Sequence, residues 1–312
     1  MVRSEWTHLT PNQQVNDSTN KQIIHSGVDV LQKQWFTEEF EIEKGRCLTI
    51  EVKSLLESRQ SQFQKIDMYD TVPFGKMLVL DGVIQLTEFD NFAYHEMIAH
   101  VPLNAHPNPR KVLIVGGGDG GAVFEVLRHQ QVEEVVLCDI DQEVVKISQK
   151  YFPEFAKALA DKRCKVVIDD AAKYVASKEN YFDVICVDSS DPIGPAEVLF
   201  AREFYENVYR ALTVEGIVVS QSEGMFYHQD FIVNLVAQNK KIFPYVAYYY
   251  TLIPTYPSGS IGFSFCSKKY THIDKLDIKK ISALRNLKYY NLDIHIAAFV
   301  LPQFMQEALQ GS

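Results

Sequence analysis

The chain has 312 residues, 46% hydrophobic and 23% charged, with 15 Gly and 12 Pro; this excludes a disordered, collagen-like or minimal binding module and leaves room for two domains or one large one. Lys and Arg number 31 against 40 Asp and Glu, a formal net charge of −9 at pH 7. A surface of that sign repels phosphate backbones and draws cations, so no nucleic-acid partner is expected.

Residues 1–34 are polar and aperiodic and predict an N-terminal arm. The first twenty residues lack the apolar stretch of a signal peptide, and no run approaches the ~18 apolar residues of a membrane span. No membrane partner and a cytoplasmic location are therefore expected. Residues 35–90 contain short β-rich pieces at 47–52, 64–69 and 76–80, separated by turn signals at Pro73-Phe-Gly75 and Asp81-Gly82. They predict a small antiparallel β domain. From Asn91 to about Ala105 the apolar period becomes helical, and Pro107 and Pro109 end this linker helix.

Residues 91–312 form the second predicted domain. Apolar runs at 112–115, 135–138, 166–168, 184–187 and 217–219 alternate with amphipathic segments at 122–129, 142–150, 201–212 and 230–241. Continuous apolar strands joined through helices predict a doubly wound, mostly parallel sheet covered on both faces. The last two runs, 246–252 and 261–267, are too close for a crossover helix and predict an antiparallel edge hairpin. The result is a methyltransferase-like (Rossmann-like) α/β fold. An apolar, helical C-terminal segment around 297–305 is expected to pack back or to form an interface. Five cysteines (Cys47, Cys138, Cys164, Cys186, Cys266) make an odd number with no C-x-x-C pair, and three sit inside apolar runs. They read as buried thiols of a reducing compartment.

The first strand of this domain runs directly into Gly116-Gly-Gly-Asp-Gly-Gly121 and a helix, so the backbone can approach a ligand at a helix N-terminus. The spacing satisfies a dinucleotide fingerprint, with Asp139 placed for ribose hydroxyls. Asp119 speaks against NAD: at ~5 Å and an effective dielectric of ~20 it opposes each pyrophosphate charge by roughly 3 kcal/mol. A cationic nucleoside such as a sulfonium adenosine suits the loop better. Asp170, Asp188 and Asp191 follow the next strands, and acids at successive strand ends converge on the crevice at the sheet's switch point. Asp170 also reads as an N-cap of the segment beginning at Ala171. His95 and His100 stand five apart on the linker helix and point about 140° from each other, which excludes a zincin pair. His100 reads as a packed histidine, and no metal site is expected. Neither a G-x-S-x-G elbow, a Cys/His nucleophile pattern nor a P-loop occurs.

Five ordered motifs then carry a resemblance over about residues 35–309: Leu80-Asp-Gly-Val-Ile-Gln85, Tyr94-His-Glu-Met-Ile98, residues 107–121 ending in the glycine loop, Asp188-Ser-Ser-Asp-Pro-Ile-Gly-Pro-Ala196 and Ile253-Pro-Thr-Tyr-Pro-Ser-Gly259. The sequence resembles the spermidine synthase family of aminopropyltransferases. The resemblance implies transfer of the aminopropyl group of decarboxylated S-adenosylmethionine to putrescine, releasing methylthioadenosine, with no separate cofactor and with homodimers or homotetramers. It implies that Gln64, Asp139, Asp170 and Ala171 hold the adenosine and that Asp119 holds the aminopropyl ammonium. Pro195 and Ala196 belong to a covering loop. Tyr94, His95, Ser189, Asp191, Gln221 and Tyr256 line the amine channel, with Asp188 as general base. Where many relatives have Glu, this chain has Asp139; where Gly is common it has Ala171; and near Glu43 it lacks a channel tryptophan carried by some relatives. Putrescine N-methylation, transfer to a longer acceptor and a catalytically silent paralogue are the competing expectations. The retained acids favour aminopropyl transfer over methylation and silence.

Overall fold

The computed structural model describes residues 33–39, 41–190 and 194–311. The predicted arm over 1–34 thus lies outside the described residues, apart from its last two.

Gln34–Glu38 (β1), Leu48–Gln60 (β2), Lys65–Thr71 (β3), Lys76–Leu80 (β4) and Val83–Thr87 (β5) form an antiparallel sheet in sequential order. Asp81 and Gly82, with φ of 47° and 82°, are both left-handed between β4 and β5. A two-residue loop of that kind matches the strands' twist and fixes the hairpin register. The first strand, β1, was not among the expected pieces. Its buried Glu38 turns inward to accept the Ile84 N–H at 2.8 Å, an arrangement that hydropathy patterning reads as a loop.

The linker helix α1 spans Asn91–Ala105, and every residue from Ala93 onward is buried. After it come Lys111–Gly116 (β6), Gly121–Val126 (α2), Glu134–Asp139 (β7), Gln142–Tyr151 (α3), Pro153–Leu159 (α4), Cys164–Ile168 (β8), Ala171–Ala176 (α5), Phe182–Asp188 (β9), Arg202–Ala211 (α6), Leu212–Gln221 (β10) and Gln229–Asn239 (α7). Tyr245–Leu252 (β11) and Ser260–Ser267 (β12) make the final hairpin, and Ile278–Ala283 (α8), Leu292–Ala297 (α9) and Gln303–Gln310 (α10) end the chain.

The second sheet runs β11-β12-β10-β9-β6-β7-β8. Strands β6 to β10 are mutually parallel, and β12 is antiparallel to both β10 and β11. Only β12 therefore opposes the sheet direction, because β11 returns parallel to β10 at the edge. Alternation assigns the faces: Val112, Ile114, Val184 and Cys186 pack with α1, while Leu113, Val115, Ile185 and Val187 pack with α6. Side chains of one strand alternate across the sheet, so two apolar faces require two helical layers.

The small sheet seats Ile66, Met68, Leu78 and Leu86 against Val144 and Ile147 of α3, Phe152 between the two helices and Phe155 of α4. Ser61 Oγ donates to Asp141 Oδ2 at 2.6 Å and Lys150 Nζ to Glu57 at 2.7 Å across this junction. The C-terminal segment packs back as one of its two expected fates: Phe299 stacks 3.7 Å from His272, and Met305 is fully buried. Glu96 ties it to α1 by accepting the N–H groups of Lys288, Tyr289 and Tyr290 at 2.8, 2.9 and 2.7 Å. Cys138, Cys186 and Cys266 are buried thiols, whereas Cys47 is exposed and Cys164 half-buried; all five are unbridged. Among the described residues no helix is long and apolar enough to cross a membrane.

Candidate active site

Strand order lays out the site. Asp170 follows β8, Asp139 ends β7, the glycine loop follows β6, Asp188 ends β9 and Gln221 ends β10. Adjacent strands lie about 4.8 Å apart, so these residues span about 19 Å along one carboxyl edge. The switch point falls between β6 and β9, where Gly116 pairs with Asp188. A cavity of about 650 Å³ covers this edge, and the small sheet closes it through Gln64, Leu80 and Gln85.

The glycine loop makes room for acids to crowd in. Gly117 has φ of 66°, and a Cβ there would stand 2.7 Å from Asp188 Oδ2; at Gly121 it would meet the His95 imidazole at 2.1 Å. Gly117 donates its N–H to the Asp188 carbonyl at 2.8 Å. Loop and acid are thereby fixed to each other. Asp119 Oδ1 accepts the Gly121 N–H at 2.6 Å at the start of α2 and lies 3.2 Å from His95 Nε2. Burial opposes protonation of His95, but the neighbouring Asp119 charge and hydrogen bond hold its pKa above the ordinary value.

Tyr94 Oη donates to Asp188 Oδ1 at 2.7 Å, while Asp188 Oδ2 is out of solvent contact with no hydrogen-bond partner among the described residues. Burial, then the Asp119 charge, raises the Asp188 carboxyl to about 7, against the pull of His95 and Tyr94. Burial also keeps the Tyr94 phenol neutral by lifting its pKa. The ligand-type atoms of His95, Asp119 and Asp188 lie within 4.8 Å of one another, a cradle for a cationic group. An unpaired, half-neutralised carboxylate beside a phenol can accept a proton at neutral pH.

On the other side of the loop, Asp139 accepts the Gly118 and Asp141 N–H groups at 2.9 and 2.8 Å. Burial nevertheless raises its carboxyl to about 6. Gln64 reaches Asp141 at 3.0 Å and faces the cavity. Asp170 is the N-cap of α5, accepting from Ala172 and Lys173, so the capping expectation holds while the residue also lines the cavity with Ala171. A ligand held through the ionised Asp139 should bind several-fold more weakly at pH 5 than at pH 7.5, since protonation removes an acceptor. Calorimetric titration of a nucleoside donor across this range checks it.

Ser189, Ala196, Gln221 and Tyr256 also line the cavity, with the Tyr256 hydroxyl donating to the Gln85 carbonyl at 2.6 Å. Asp191 lies outside the described residues, and Pro195 falls in the 3-10 helix Gly194–Phe200. His100 is the packed histidine expected: fully buried, 3.0 Å from Glu125 and 2.9 Å from His129, its pKa pushed down to about 3 by burial. Sequence reasoning missed Glu38, Glu41, Glu223, Tyr227 and His228, which line the end of the cavity beyond β10. The one available signal was the acid of Glu223-Gly224 two residues past a strand end.

The family model described as "Spermine/spermidine synthase domain" matches residues 91–277, and "Spermidine synthase tetramerisation domain" matches residues 34–88. The chain is 52% identical over 274 residues to the polyamine aminopropyltransferase of Leptospira biflexa, covering 86% of this chain and 96% of that one. It is 44% identical over 283 residues to the spermidine synthase of Schizosaccharomyces pombe, covering 90% and 95%. A solved spermidine synthase in complex with the transition-state analogue AdoDATO superposes with a TM-score of 0.87 at 38% identity, covering 90% and 96%.

Proposed function

Because the chain belongs to the spermine/spermidine synthase family, we propose that it is a spermidine synthase, an aminopropyltransferase moving the aminopropyl group of decarboxylated S-adenosylmethionine to putrescine. The observation that carries this reading is the pairing of Asp119 and Asp188 about one cradle, one acid for a donor ammonium and one for an incoming amine. The adenosine lies over β7 and β8 against Asp139, Asp170, Ala171 and Gln64, with Ala196 and the Pro195 loop over it. The amine enters over β9 and β10 between Tyr94, His95, Ser189, Gln221 and Tyr256, with Asp191 on its distant ammonium.

The amine nitrogen must be neutral to attack, and its pKa resembles that of lysine, about 10.4. An acid at about 7 rather than the ordinary 3.8 narrows the proton-transfer gap by about 3.2 pKa units, roughly 4 kcal/mol. Asp188 takes the proton as the nitrogen forms its bond to the carbon beside the sulfonium. The C–S bond breaks with its electron pair going to sulfur, and neutral methylthioadenosine leaves. The leaving group carries its own positive charge, so the reaction calls for neither a metal nor a separate cofactor. A methyl donor bearing a carboxylate is disfavoured by Asp119.

The enzyme acts in the cytoplasm as a homodimer or homotetramer, on small molecules, without a nucleic-acid or membrane partner. Mass-spectrometric product analysis with decarboxylated S-adenosylmethionine and putrescine is the test. Spermidine with methylthioadenosine is expected; methylputrescine from ordinary S-adenosylmethionine would instead establish the methyltransferase reading.

A further inference from the structure

His228 sits beyond β10 with its two ring nitrogens each against a carboxylate: Nε2 lies 3.3 Å from Glu41 Oε1 and Nδ1 lies 3.0 Å from Glu223 Oε2. A neutral imidazole has one N–H and one lone pair, so it would aim that lone pair at an anion; flanked on both sides, the ring is favoured as a cation. Both carboxylates are buried, and all three side chains line the cavity. Glu41 also receives Lys44 Nζ at 3.1 Å and Arg46 Nε, and Arg46 stacks 3.6 Å over Tyr227. Glu223 is held at φ of 64°, its carbonyl accepting the Gly262 N–H at 2.9 Å and the Tyr248 hydroxyl at 2.8 Å. This end of the cavity is thus a charge-balanced assembly, with Lys44, Arg46 and the imidazolium set against Glu38, Glu41 and Glu223.

We propose that His228 is an acceptor-specificity residue: held as a cation between Glu41 and Glu223 at the acceptor end of the cleft, it occupies the seat of a further ammonium and biases the enzyme towards a diamine over a triamine. The inference rests on reading the cleft as an aminopropyltransferase site. Putrescine, with one ammonium left after its reacting amine is deprotonated, leaves the assembly intact. A triamine brings one more positive charge to an end already balanced, and must either displace the imidazolium proton or bear the repulsion.

Protonation supplies the test. The contact with Glu223 and the charges of Glu223 and Glu41 raise the His228 pKa above 6.5, against burial and Lys44. The gate is therefore closed at low pH and opens as pH rises through that raised value. Initial rates with decarboxylated S-adenosylmethionine are measured for putrescine and spermidine separately, between about pH 6 and about pH 8.5. The ratio of kcat/KM for spermidine to that for putrescine is expected to rise about tenfold across the range in the native enzyme. In His228→Gln the ratio should start about tenfold higher and stay level with pH. A native ratio that does not change with pH overturns the inference, whatever the variant does, and so does a variant with the native ratio and slope.

If His228→Gln fails to fold, imidazole nitrogen NMR of the native protein decides. Saturating spermidine should lower the His228 pKa and putrescine should leave it in place; identical titrations with both amines overturn the inference. Absence of aminopropyl product from putrescine with the native enzyme overturns the proposed function and the inference with it. Product from putrescine with a level ratio overturns the inference alone.

Discussion

Asp188→Asn is expected to lower turnover with putrescine by about a hundred- to ten-thousandfold while leaving donor affinity within a few-fold of native. Asn keeps the shape of the side chain and can still accept from Tyr94, whose hydroxyl now donates at 2.7 Å. It cannot take a proton. In the native enzyme kcat/KM should climb as pH rises through about 7, where the Asp188 carboxyl ionises, and this acid limb should vanish from the residual activity of the variant. The sign of the stability effect separates chemistry from folding. A carboxyl whose pKa is higher folded than unfolded costs the fold stability as pH rises past 3.8, with the full cost above about 7. Asp188→Asn should therefore melt no lower than native at pH 8, and a thermal melt beside the rate measurement reads both. Native-like turnover in the variant would place the base elsewhere.

Asp119→Asn should weaken binding of decarboxylated S-adenosylmethionine by about 10- to 100-fold, the worth of one charge-assisted, partly buried contact. The substitution isolates charge from structure. Asn keeps a side-chain carbonyl oxygen in the same place, so the acceptor of the Gly121 N–H at 2.6 Å is retained. Ordinary S-adenosylmethionine brings a carboxylate rather than only an ammonium towards this region, and its affinity should rise relative to that of the decarboxylated donor. Calorimetric titration of both nucleosides into native and variant protein reads the ratio. An unchanged ratio would mean that the ammonium is held by another group.

These residues were legible because the parallel sheet imposes a rule: chemistry gathers at strand carboxyl ends, and the apolar runs mark those ends to within a residue or two. Asp119, Asp139, Asp170 and Asp188 each follow such a run, so their convergence follows from the topology alone. Helix α1 was legible for a different reason, since Pro107 and Pro109 bound it sharply. What escaped has a physical pattern too. Strand β1 hides because its inward residue is Glu38 rather than an aliphatic, and its compensation is a hydrogen bond to Ile84, 46 residues away. At the C-terminal end, where a helical segment is expected, the separate bounds of α8 to α10 escaped as well, because at six to eight residues each they are too short for a helical period to mark their ends. Glu41 follows β1 in the small-sheet region, whereas Glu223 and His228 share the turn after β10, and only folding places them together. Asp170 shows the reverse case, in which the sequence offered two roles and the structure gives the capping one directly.

The cleft is assembled from two parts of the fold. The glycine loop and the strand-end acids Asp139, Asp170 and Asp188 stand on β6 to β9, where Gly116 pairs with Asp188 and Gly117 donates to its carbonyl. A substitution in that shared segment is expected to disturb the glycine loop and Asp188 together, since each holds the other in place. The end of the cavity beyond β10 is instead walled by Glu38, Glu41, Gln85, Glu223 and His228, which belong to the small-sheet region and to the turn after β10. On the proposed reading, substitutions in those walls should change the choice of acceptor more than the displacement at the sulfonium. A lineage built this way can diversify which polyamine it makes while its reaction stays constant.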